Sequence, residues 1–138
     1  MHKFMPIRFK EVIKYLEKPV TSEEREVAAL LSKMVEAVNT KDLRLLESLY
    51  MDETIFISGA KTLTKAEYME LVPQLIQSVR HISLEEVLIK INRDKATVYY
   101  KKYVTLKDSL LPNKITCHRL CCVERGLHWF ILEAEKVA

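Results

Sequence analysis

Ala37-Val38-Asn39-Thr40-Lys41-Asp42-Leu43-Arg44-Leu45-Leu46-Glu47-Ser48-Leu49-Tyr50-Met51-Asp52-Glu53 is the stretch on which the fold turns. It ends one helix at Asn39-Thr40-Lys41 and opens a shorter one, because the Asp42 carboxylate can accept from the free amides that follow it. Leu43, Leu46 and Leu49 give that short helix an apolar stripe leading to Tyr50. Upstream, Thr21 and Glu24 have the spacing of a capping box, in which a hydroxyl and a carboxylate satisfy each other's backbone amides. Val27, Leu30, Leu31, Met34 and Val38 then supply the buried face of the longer helix. Residues 1–20 read as a separate piece. Phe9, Val12, Ile13 and Leu16 share one helix face, and Lys18-Pro19 ends it because proline cannot continue the hydrogen-bond ladder.

Downstream the period changes. Thr54 to Ile57 is a brief strand closed by Ser58-Gly59, and Thr64 with Glu67 forms a second capping box. Tyr68, Leu71, Val72, Leu75, Ile76 and Val79 continue that helix, which Pro73 is expected to kink or break. The remainder alternates as strands: Ser83 to Ile91, Ala96 to Leu106, then Ile115 to Glu124 and Leu127 to Glu135 as a hairpin turning at Arg125-Gly126. Asp108 to Asn113 is a loop. Helices first and antiparallel strands after is an α+β pattern, with a domain expected over residues 21–138 and an amphipathic helical extension over 1–20.

Composition excludes several classes. The 138 residues suffice for one domain, and 49% hydrophobic with 30% charged content supports a folded core. The net charge of +3 is too small to imply nucleic-acid binding. All of it lies in residues 1–20, where Lys3, Arg8, Lys10, Lys14 and Lys18 outnumber Glu11 and Glu17, so any acidic surface or membrane should meet that arm. Only Gly59 and Gly126 are glycines, so neither a P-loop nor a dinucleotide fingerprint can be built. There is no bilayer-length apolar run and no secretory leader, and three clustered cysteines cannot all pair, so a reduced, cytoplasmic protein is expected. Cys117, His118, Cys121, Cys122 and His128 lack the paired spacing of structural zinc ligands. They read as strand core, with no metal and no cofactor.

The stretch from Ala37 to Glu53, with Ala96 opening a strand and Gly126-x-x-Trp129 near the last hairpin, resembles the nuclear transport factor 2-like superfamily over about residues 22–137. The resemblance implies a cone: a curved antiparallel sheet wrapped around helices, with a pocket in its mouth. Ketosteroid isomerases, dehydratases, polyketide cyclases and non-catalytic association domains share that fold, so fold alone does not settle function. Carried over position by position, the isomerase tyrosine falls at Met34, the carboxylate base at Ser58 and the third oxyanion-holding residue near Arg119. A thioether donates no hydrogen bond and a serine is no base at neutral pH, so steroid isomerisation is not expected.

A turn at Arg125-Gly126 puts Cys117, Arg119, Cys121 and Val123 on one face with His128, Phe130, Leu132 and Ala134. The resemblance points that face into the cone. On the neighbouring strand Tyr100 and Lys102 alternate inward with Ala96, Val98, Val104 and Leu106. Pocket candidates are therefore Met34, Tyr50, Ser58, Tyr100, Lys102, Arg119, His128, Phe130 and Leu132. Arg119 and Lys102 would balance a small anionic or enolate-like ligand, with Tyr100 as donor; alternatively, and more commonly for such residues, Arg119 pairs with a helix carboxylate such as Glu36 and Lys102 reaches water. The opposite face, with Leu120, Cys122, Trp129 and Ile131, would be an apolar patch for a homodimer or for the N-terminal helix. Two functions follow. One is a small-molecule protein with a largely apolar pocket and acid–base chemistry of the isomerase, dehydratase or cyclase kind. The other is a non-catalytic dimerisation or interaction module whose side chains fill the cone.

Overall fold

A computed structural model describes residues 21–138. The helix and basic arm expected over residues 1–20 lie outside the described residues. The chain runs α1 (Ser22–Thr40), α2 (Leu43–Ser48), β1 (Tyr50–Ser58), β2 (Lys61–Thr64), α3 (Lys65–Gln77), β3 (Val79–Asn92), β4 (Lys95–Leu106), β5 (Lys114–Arg125) and β6 (His128–Lys136). Both capping boxes form: Thr21 and Thr64 each accept from the amide three residues on, and Glu24 and Glu67 each bond back to the cap amide at 2.9 Å. Asp42 accepts from the Leu45 amide at 3.0 Å and caps α2. Pro73 does not break its helix. Val72 and Ile76, buried on either side of it, hold α3 against the sheet, and that packing outweighs one lost hydrogen bond.

The six strands form one sheet in the order β2-β1-β6-β5-β4-β3, antiparallel throughout except for the β1–β6 pair. Its concave side wraps α1, whose Val27, Ala28, Leu31 and Ala37 are at most 1% exposed. Asn39 closes the joint between helix and sheet by bonding the Ile82 backbone twice, accepting from its amide at 2.7 Å and donating to its carbonyl at 3.0 Å. This is the α+β cone. Bulges at Glu85/Leu88 in the β3–β4 pair and at Cys121/Cys122 in the central β5–β6 pair add to the bend of the sheet.

The last hairpin corrects the sequence reading. The turn is Gly126-Leu127, with Arg125 paired to His128, because Gly126 takes the positive φ (65°) that an arginine resists. Val123 therefore faces Phe130 instead of His128. The bulge then leaves Leu132 extra and reverses the alternation of β6, so that Ile131, Ala134 and Lys136 share the concave side. The concave residues of β5 are Thr116, His118, Leu120 and Cys122, whereas Arg119 and Cys121 lie on the convex side with Glu133 and Glu135. Hence the patch assigned to a dimer interface is interior: Leu120 and Cys122 are 2% exposed, Trp129 7% and Ile131 0%. Those four side chains belong to the chain's own core.

Candidate functional site

The strands deliver their concave side chains in layers. Phe56, Ala134, Leu120 and Val98 lie level across β1, β6, β5 and β4. One step towards the mouth come Ser58, Lys136, His118 and Tyr100, and the next step pairs Thr116 with Lys102. Lys114, opposite Val104, stands further out. Between this wall, α1 and α3 is a cavity of about 430 Å³, within the size range of small-molecule sites. Its deep end is apolar: Met34, Leu46, Leu120 and Ile131 meet an aromatic cluster in which Phe56 stacks on Tyr68 at 3.8 Å and Tyr50 meets both edge-on. Burial pushes the phenols of Tyr50, Tyr68 and Tyr100 upward, so they stay protonated and able to donate.

The outer part is basic. Lys102, Lys114 and Lys136 line it, and no ion pair formed among the described residues involves any of them. Burial, followed by the charges of Lys114 and Lys136, pushes the Lys102 ammonium down to about 8. His118 lies flat against Tyr100, ring centroids 5.2 Å apart, with its Nε2 2.7 Å from Thr116 Oγ1. Burial, with Lys102 and Lys136 adding to it, pushes this imidazole down to about 3, so it is neutral at physiological pH. The site thus offers ammonium groups, a neutral imidazole, a threonine hydroxyl and tyrosine donors. No carboxylate stands at the Ser58 position.

That imidazole gives the fold an acid dependence with a definite sign. An unfolded histidine binds its proton below about 6.5, the folded His118 only below about 3. In between, the unfolded chain holds the extra proton, so the stability present above pH 6.5 is lost as pH falls towards 3. His118→Gln removes the term while keeping a hydrogen-bonding partner for Thr116. Urea midpoints at pH 7 and pH 4 should therefore fall further for the unaltered chain than for the variant. Equal falls would contradict a neutral, buried His118.

Of the residues singled out from sequence, Met34, Tyr50, Ser58, Tyr100 and Lys102 line the cavity, and the Tyr100 hydroxyl points at Met34 Sδ at 3.9 Å. Arg119, His128, Phe130 and Leu132 do not. Arg119 lies on the convex side and is satisfied there by Glu135 Oε1, at 3.1 Å from Nε and 2.7 Å from Nη2, with Glu133 at 3.6 Å. Its partner is on the adjoining strand, not Glu36 on the helix. His128 is exposed beside the turn. Lys114, Thr116, His118 and Lys136 were missed, although Lys114, Thr116, His118 and Leu120 alternate in the sequence as one strand face. Cys117 and Cys121 sit on the convex side, opposite His118, and Cys122 lies on its side but four residues along the strand; among the described residues no three metal-ligating side chains cluster. None of the described helices is long and apolar enough to cross a membrane.

Solved structures share this architecture at low sequence identity. A nuclear transport factor 2-like protein from Cytophaga hutchinsonii superposes with a TM-score of 0.73 at 16% identity, over 86% of this chain and 99% of that one. A Streptomyces avermitilis protein, proposed to be a dehydratase of the nuclear transport factor 2-like family, gives 0.72 at 15% identity over 85% and 97%. A Shewanella frigidimarina protein proposed to be a ketosteroid isomerase gives 0.69 at 14% identity over 81% and 94%. No family model and no curated protein matches the sequence. The likeness is one of fold: the chain has the nuclear transport factor 2-like fold, a cone built around a cavity.

Proposed function

We propose that this protein binds small amphipathic carboxylates, with the acid group among Lys102, Lys114 and Lys136 and the apolar tail between Met34, Tyr50, Phe56 and Tyr68. The observation that carries the reading is that Lys102, Lys114 and Lys136, outside any ion pair among the described residues, line one end of a cavity whose deep end is apolar. An ammonium drawn out of water is unfavourable until an anion joins it, so the site gains most from a ligand that supplies both negative charge and apolar surface. A bound carboxylate raises the Lys102 ammonium back from about 8, so binding near pH 8 takes up protons. The open volume favours a small-molecule protein over a module in which side chains fill the cone. Chemistry of the isomerase or dehydratase kind, suggested by proteins of similar fold, would fall to Lys102, the group able to exchange a proton near neutrality.

Calorimetric titration with octanoate and with octan-1-ol separates charge from tail. Octanoate should bind at least about tenfold more tightly than the alcohol. Lys136→Ala should weaken the acid and not the alcohol, whereas Arg119→Ala on the far side of the sheet should change neither. Equal affinities for acid and alcohol would overturn the reading, as would loss with Arg119→Ala alone.

A further inference from the structure

We propose that Lys102 is a carbonyl-capturing amine that forms an imine with 2-oxo acids carrying an apolar tail, an inference that rests on the carboxylate-binding reading above. The sheet register places the groups in the order such a ligand requires. Lys114, opposite Val104, stands exposed at the outer end of the cavity, while Lys136, opposite His118, reaches it from β6 one register step inward of Lys102. Lys102, opposite Thr116, lies inward of Lys114 and is half-buried. Beyond it the wall turns apolar at Tyr100 and Leu120. A carboxylate held by Lys114 brings the adjacent carbon towards Lys102, with Lys136 as the second ammonium beside it, and leaves an alkyl chain to fill the aromatic end. That order of acid, carbonyl and tail defines a 2-oxo acid.

An amine attacks only when unprotonated, and a surface lysine at neutral pH is almost entirely protonated. Lys102 differs through its surroundings: it faces Lys114, Lys136 and neutral His118, while the Glu135 carboxylate is turned to the convex side and engaged there by Arg119 at 2.7 Å. Burial and the two ammonium neighbours lower its proton affinity to about 8, leaving free amine available near neutrality. Two other lysines serve as internal controls, because each has an acidic partner: Lys65 lies 3.7 Å from Asp52 and 3.5 Å from the Tyr50 carbonyl, and Lys101 lies 3.3 Å from Glu86.

In the step itself, the Lys102 Nζ lone pair adds to the ketone carbon, and the oxygen takes up the proton the nitrogen gives off. The carbinolamine then loses that oxygen as water, which carries away a second nitrogen-bound proton as the C=N bond forms. Amine and ketone become imine and water, with no change of oxidation level and no further reactant.

The full-length chain incubated with 2-oxooctanoate and cyanoborohydride, the latter trapping the imine as a secondary amine, tests this by peptide mapping in a mass spectrometer. Lys102 should be labelled at least about tenfold faster than Lys65 or Lys101, its labelling should rise with pH through about 8, and excess octanoate should suppress it. Octanoate binding with Lys102 labelled no faster than Lys101 overturns the imine and leaves carboxylate binding standing. Absence of octanoate binding together with even labelling across the lysines overturns both.

Discussion

Ile131→Ala should destabilise the fold by about 3 kcal/mol, among the largest effects of any single truncation in the sheet. The side chain is 0% exposed on the concave side of β6, level with Tyr50 and Cys122. Its backbone is equally engaged: the amide donates to the Leu49 carbonyl at 2.8 Å, and its carbonyl accepts from the Thr54 hydroxyl at 2.6 Å. Truncation removes the apolar contacts and enlarges a cavity that the surroundings cannot collapse, because the strand is pinned on both sides. Phe130, next in sequence, is half-buried on the opposite side and should cost clearly less despite its larger ring. Urea denaturation of the two variants checks the comparison. A larger loss for Phe130→Ala would mean that the concave and convex sides of β6 have been exchanged.

Ala134→Trp should abolish octanoate binding, lowering affinity by about a hundredfold or more, while the fold persists. Ala134 lies level with Phe56 and Leu120 on the cavity wall, one register step inward of Lys136. An indole there enters space that is open in the folded chain, so it avoids the strain of overpacking a filled core while occupying much of the 430 Å³. Calorimetric titration beside a thermal melt measures both quantities at once. Undiminished binding in a folded variant would place the ligand elsewhere.

Legibility from sequence follows how much of each feature is local. The capping boxes at Thr21 and Thr64 and the cap at Asp42 involve neighbours three residues apart, and each forms as its spacing requires. In β4, Val98, Tyr100 and Val104 are buried and face the cavity side of the sheet, while Tyr99, Lys101 and Tyr103 are more exposed, so alternation alone orients the strand. In β5 it cannot. Thr116, His118, Leu120 and Cys122 compete with Cys117, Arg119, Cys121 and Val123, two faces of nearly equal polarity, and the choice rests on packing against distant α1. Arg119 looked like a charge in need of a ligand because its partners Glu133 and Glu135 belong to the next strand, across a bulge no local signal announced. The short strand β2, mostly exposed and four residues long, has too little apolar patterning to stand out. The lysine cluster was half visible: Lys102 came with its strand, whereas Lys114 and Lys136 required the register.

The central claim is that an amphipathic acid lies inside the cone with its carboxylate at the lysine end. A crystal structure of the complex with 8-bromooctanoate, read at the bromine absorption edge, tests it most directly. The anomalous peak should appear among Tyr50, Phe56 and Tyr68, with the carboxylate within ion-pairing reach of Lys102, Lys114 or Lys136. A bromine outside the cavity, or one at the lysine end with the carboxylate turned into the aromatic cluster, would contradict it.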